Sequence, residues 1–214
     1  MRCLATLILF MASVGPISAG EQITNVFRNH RPTDSSPPIH RRAMWVWESK
    51  QILVSESAQA ELLTFCRTHS INDLFLQIIY VSDSPKSSAP QCEVVRPELL
   101  RAFVQKASDA GVRVQALDGY PEFILTSWHD RVLAMVRAIL TYNRASQPSE
   151  RLQGIHLDNE PYLLMGYRGP LHDDLLRQYL DLNVKIADLL KAESSETVYG
   201  VDIPSWFDTA DETV

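Results

Sequence analysis

The sequence predicts an α/β protein built on parallel (β/α) units, and three observations lead there. Short apolar segments of strand length recur at 43–48, 73–80, 112–118, 152–158 and 198–203. Segments of helical period lie between them, at 57–70, 97–111, 127–146 and 173–194. A helix between two strands returns the chain to the same end of the sheet, so the strands are expected to pair in parallel.

Each element has a local reason. Residues 1–19, MRCLATLILFMASVGPISA, carry Arg2, an apolar run from Leu4 to Val14, a Gly15-Pro16 break and small residues up to Ala19. That is the layout of a secretory signal peptide. The apolar run is shorter than the roughly 20 residues of a membrane-spanning helix, so no span is expected once the signal is removed. A secreted or periplasmic protein is the expectation. Residues 20–40 are rich in proline, serine and polar groups and lack periodicity, as in a leader with little regular structure. The domain is expected to occupy 41–214. Pro97 suits the first turn of its second helix and Gly111 the stop at the end of that helix. Asp173 and Asp174 favour the positive end of the last helix dipole, and Leu175, Leu176, Tyr179 and Leu190 give that helix an apolar face.

Two architectures satisfy the alternation: an open doubly wound sheet, and the first five strands of an eight-stranded β/α (TIM) barrel. No glycine-rich phosphate turn follows the first strand, where MWVWESKQIL stands, which weighs against dinucleotide binding. A partial barrel is therefore expected. The chain of 214 residues has a net charge of −6 and no basic cluster, so nucleic acid is not an expected partner. Two cysteines remain beyond the signal, Cys66 late on a helix and Cys92 in a loop, at opposite ends of one unit, and the reading leans to unpaired thiols. No Cys-x-x-Cys pair is present, and neither a metal nor a cofactor is expected.

The chemistry concentrates in GIHLDNEPYLL, 154–164. Side chains alternate along a strand, so His156, Asp158 and Glu160 share one direction and Ile155 and Leu157 the other. The apolar pair is expected against the helices and the polar set along the inner face and rim, where parallel-barrel enzymes place their sites. Other strands end in the same way: Glu48 after the first, Asp118 and Tyr120 after the third, Asp202 and Trp206 after the fifth. Acids bind hydroxyls or move protons and aromatic faces stack on sugar rings, so this rim suits a carbohydrate cleft. Asp118 and Asp202 serve equally well as helix caps, Trp45 and Trp47 as wall and core, and Tyr162, Tyr167 and Arg168 as surface loop. His129 reads as a surface residue at a helix start, and His40 as part of the leader. Two neighbouring acids in a partly desolvated cleft resist double ionisation, and Asp158 is expected to raise the pKa of Glu160.

These residues resemble the barrel glycoside hydrolases. Asn159-Glu160-Pro161 is similar to the Asn-Glu-Pro that ends the fourth strand in the large retaining clan, and Gly154, Asp158 and Glu160 match positions of the chitinase-like Asp-Gly-x-Asp-x-Asp-x-Glu pattern. Gln153 and His156 stand where chitinases carry aspartates. The resemblance implies hydrolysis of O-glycosidic bonds in a polysaccharide or oligosaccharide, with Glu160 as proton donor and Asp158 as its partner. Asn159, Asp118, Asp202, Trp206 and Glu48 would then bind substrate. In the resembling clan a second carboxylate, about 5–5.5 Å from the acid in a retaining enzyme, comes from the seventh strand. The chain reads as truncated after its fifth, with low activity and self-association of the open arc as expectations. Two other classes fit the same residues: a non-catalytic carbohydrate-binding or scaffold protein, and a metal-assisted phosphodiester hydrolase using His156, Asp158, Glu160, Asp118 and Asp202.

Overall fold

The structure is a computed structural model that describes residues 41–83, 90–193 and 197–204. The expected signal peptide, the leader and Trp206 lie outside these residues. In chain order the elements are β1 (Ala43–Val46), α1 (Ser49–Val54), α2 (Glu56–Thr68), β2 (Asp73–Gln77), β3 (Tyr80–Ser82) and β4 (Cys92–Val94). There follow α3 (Pro97–Asp109), β5 (Arg113–Asp118), α4 (His129–Arg144), β6 (Gly154–Leu157), α5 (His172–Glu193) and β7 (Val198–Val201). Short 3-10 turns at Pro121–Ile124, Thr126–Trp128, Pro148–Glu150 and Pro161–Leu163 fill the connections.

The fold class is α/β, with one five-stranded sheet ordered β1-β2-β5-β6-β7. Every neighbouring pair in it is parallel. The order never reverses, whereas a doubly wound sheet has a switch point where it does. Strands β2 and β6 are buried along nearly their whole length, as expected of parallel strands covered on both faces. Leu74, Leu76, Val114, Ala116, Ile155 and Leu157 form one face and join the main core. Phe103 and Val104 of α3, Val136 and Ile139 of α4, and Leu182 and Ile186 of α5 belong to the same core. Each such side chain contributes about 1.5–3 kcal/mol by leaving water. Phe75, Gln115, Leu117 and His156 alternate with the first set and so point to the other face, where they too are buried.

Helix signals read from the sequence have their expected places. Pro97 opens α3, Gly111 follows it at φ 73°, and Asp173 and Asp174 lie in the first turn of α5. Tyr199 of β7 donates to Asn183 Oδ1 on α5 at 2.6 Å, tying the last strand to its helix. Among the described residues no helix is long and apolar enough to cross a membrane.

Four expectations need correction. The predicted strand at 73–80 stops at Gln77: one further bond, Ile78 N–H to Leu117 O, reaches β5, and the chain then leaves the sheet to form the antiparallel β3–β4 hairpin. Cys92 therefore lies on a strand rather than in a loop, and its thiol, like that of buried Cys66, is free. The predicted strand at 43–48 gives way after Val46 to helix α1, whose six residues are too few to carry a period. Tertiary contacts hold it: Leu53 is buried, and Gln59 Nε2 donates to the carbonyls of Ile52 and Leu53 at 3.1 and 3.4 Å. Finally, His129 is buried, not on the surface. Its Nε2 donates to Ile124 O at 2.8 Å, and its Nδ1 lies 3.1 Å from Lys185 Nζ, so the ring staples the start of α4 to α5.

Phe103 is fully buried at the centre of this packing, while Val54 is more than half exposed. Phe103→Ala is expected to lower the unfolding free energy by about 3–5 kcal/mol, read from urea denaturation. Val54→Ala should stay within about 0.5 kcal/mol of wild type in the same measurement.

Candidate active site

At the C-terminal ends of the strands, a cleft of about 380 Å³ is lined by Trp45, Trp47, Asp158, Glu160, Tyr162 and Asp202, with Ile203 and Pro204. Its walls come from the two ends of the sheet. Trp45 lies on β1 and Asp202 follows β7, yet Trp45 Nε1–H donates to Asp202 Oδ2 at 3.0 Å. In a flat sheet four strand spacings would set these backbones about 19 Å apart. The sheet is therefore strongly curled about the face that carries Trp45, Phe75 and His156. The His156 ring stacks on Phe75 at 3.9 Å and 9°, and Trp45 approaches both rings edge-on.

The two aspartates are anchored by the backbone one residue beyond the strands. Asp158 N–H donates to Asp118 O at 2.9 Å, and Asp202 N–H donates to Leu157 O at 3.0 Å. Alternation therefore persists to both, and they face the same side as His156. Glu160 reaches the cleft differently. Its backbone is left-handed, φ 44° and ψ 58°, although it has a side chain and precedes Pro161, which disfavours helical ψ at the residue before it. Such a conformation costs about 1–2 kcal/mol and is held by its surroundings. The Tyr162 hydroxyl donates to Glu160 Oε1 and helps fix the carboxylate.

The electrostatics are one-sided: among the described residues three carboxylates line the cleft and no cationic side chain does. Burial first, then the charges of Asp202 and Glu160, push the Asp158 carboxyl up to about 6, with His156 acting in the opposite sense. Burial and the neighbouring acids also hold the Tyr162 phenol well above its ordinary value. Asn159, between the two acids, is 1 % exposed, and neither its Oδ1 nor its Nδ2 has a hydrogen-bond partner among the described residues. An unmet buried amide costs about 1–3 kcal/mol per group.

The structure brings together Asp158, Glu160 and Asp202 from the predicted set, with Asn159 buried between the first two. Asp118 is not with them. It borders a separate small cavity with Tyr80, Met135 and Leu157, on the helix-covered side of the sheet, because it alternates with Leu117 in β5. Its carboxyl is pushed up to about 6 by burial, against the pull of the Gly119 N–H at 2.8 Å. Glu48 is exposed at the start of α1 and does not line the cleft, because the chain turns into that helix directly after Trp47. Trp45 and Trp47, taken as wall and core, are cleft residues instead. Their i, i+2 spacing on a strand was the signal for a shared face. Tyr162 lines the cleft, while Tyr167 is buried in a satellite core with Ile124, Leu175 and Tyr179. Among the described residues no group of three His, Cys, Asp or Glu side chains is set to hold a metal ion.

Gly119 ties the β5 and β6 loops together. A Cβ there would stand 2.0 Å from Asp158 O. Gly119→Ala is expected to destabilise the protein by about 3 kcal/mol, read by urea denaturation, and to displace Asp158. For Asp158 itself, the folded pKa of about 6 exceeds the ordinary aspartate value of 3.8. The stability due to its retained proton is complete below the lower value and is lost as pH rises through the higher one. Asp158→Asn should therefore melt above wild type at neutral pH, with the gap closing in acid, and carboxyl-carbon NMR should give the wild-type Asp158 a midpoint near 6. No protein-family model, curated protein or solved structure matches this chain in comparison.

Proposed function

We propose that the chain is a secreted glycoside-hydrolase-like protein whose curled sheet is an arc of a β/α barrel and whose cleft hydrolyses O-glycosidic bonds of a polysaccharide. One observation carries this reading: three carboxylates share a cleft with two tryptophans, and among the described residues no cationic side chain lines it. Phosphodiesters and other anionic substrates would be repelled there, and among the described residues the metal-assisted alternative finds no ligand cluster to neutralise them. A neutral, hydroxyl-rich ligand fits, since carboxylates accept hydroxyl protons and indole faces cover the apolar faces of sugar rings.

Glu160 is the proton donor in this reading, as its resemblance to the Asn-Glu-Pro pattern implies, with Tyr162 orienting it and Asp158 as its neighbouring acid. The test is reducing-end release by the purified secreted chain from β-glucans, chitin oligomers and α-glucans. Glu160→Gln is expected to lower turnover about 10²–10⁴-fold while leaving the melting temperature unchanged. Saccharide binding without any Glu160-dependent release would leave a carbohydrate-binding protein in place of an enzyme.

A further inference from the structure

The resemblance looks for the second carboxylate of a glycosidase on a later strand, but the fifth strand already delivers one to the cleft. We propose that Asp202 is the general base of this site, taking a proton from the attacking water; the assignment rests on the hydrolytic reading above.

The argument is one of orientation. Asp202 is fixed at its backbone by the N–H bond to Leu157 O, and its side chain is only 10 % exposed. Trp45 Nε1–H and His156 Nε2 both meet the same oxygen, Oδ2, at 3.0 and 2.9 Å. The imidazole contact is close and polar but off the hydrogen-bond direction, so the indole is the directional anchor. His156 cannot swing away, because Phe75 stacks on one face of it and Gly200 lies at its Nδ1, where a Cβ would come to 3.0 Å. No hydrogen bond to Oδ1 exists among the described residues, and Asp202 lines the cleft that holds Asp158 and Glu160.

A carboxylate accepts at both oxygens, and with Oδ2 held by the indole, Oδ1 is left for the ligand. Drawn back against the wall by Oδ2, the carboxylate is suited to reach a water rather than to bond to a sugar carbon. Glu160, held by the Tyr162 hydroxyl, is left to serve as the acid.

In the step itself, the fourth-strand acid gives its proton to the leaving glycosidic oxygen as the bond from that oxygen to C1 breaks. Asp202 removes a proton from the water whose oxygen forms the new bond to C1. One water is consumed, and solvent returns the proton from Asp202 to the acid. Because the water arrives on the face opposite the leaving group, the product anomer is inverted.

The experiment uses the full chain on whichever substrate of the panel it cleaves. Asp202→Asn keeps the shape and both wall contacts in reach, and is expected to lose at least about 100-fold in kcat with an unchanged melting temperature. Trp45→Phe keeps the carboxylate but removes its directional anchor, and should cost about 10-fold even if the first variant folds poorly. Early-time proton NMR of the products should show the inverted anomer. Glu160-dependent turnover that survives Asp202→Asn, or a retained anomer, overturns the assignment of Asp202 alone. Wild-type protein without Glu160-dependent turnover on the panel overturns the hydrolytic reading and this assignment with it.

Discussion

The hydrogen bond from Trp45 to Asp202 is the constraint around which the molecule is arranged. It joins side chains from the first and last strands of a five-stranded sheet at 3.0 Å, and a flat sheet cannot bring them within reach. Curling the sheet that far closes its inner face over His156 and Phe75, and it gathers the loops after β1, β6 and β7 around one cleft. The helices then fall on the convex face, where Leu74, Leu76, Ile155 and Leu157 meet them. The ion pair of Arg113 with Asp73, and Gln115 Nε2 donating to Asp73 Oδ1 at 3.3 Å, satisfy polar groups lower on the inner face. That leaves the rim as the place where acids remain unbalanced.

The rim is assembled against local preference. Glu160 adopts a left-handed backbone ahead of a proline, Asn159 is buried with its amide unmet among the described residues, and burial with two neighbouring acids penalises the charge of Asp158. Each of these opposes folding by about 1 kcal/mol or more. The convex core offsets them, since a few buried leucine and phenylalanine side chains contribute more than all three together. Conflict between local rules and the global fold, confined to one small region, is the pattern expected of a site under functional constraint.

Much of this was legible in the sequence, and the gaps have physical causes. All five sheet strands lie within their apolar segments, and α2 to α5 lie close to the predicted helices, because period and caps are local signals. The facing of His156 and Asp158 followed from alternation alone. Asp118 was misplaced because the residues that end strands were treated as one rim, whereas the register puts Asp118 opposite Leu157 and on the convex side. The β3–β4 hairpin and helix α1 were missed because both are held by tertiary contacts: Val95 N–H to Ile79 O at 2.9 Å, and Gln59 on the α1 carbonyls. The left-handed turn at Glu160 gave no warning, since no glycine marks it.

The separation along the chain of the groups that meet in the cleft bears on the order in which the molecule assembles. Neighbouring parallel strands pair across one or two intervening helices, but Trp45 and Asp202 are 157 residues apart. Closing a loop of that length carries an entropy cost that only the last, long-range contacts repay. Layered strands and helices can therefore form before the two ends of the sheet approach. The cleft is then the final region to organise during folding and the first to open when the chain is stressed. A population that has lost the indole-to-carboxylate bond would keep most of its helical content and its convex core, and so would look folded to any probe of secondary structure while its acids had drifted apart.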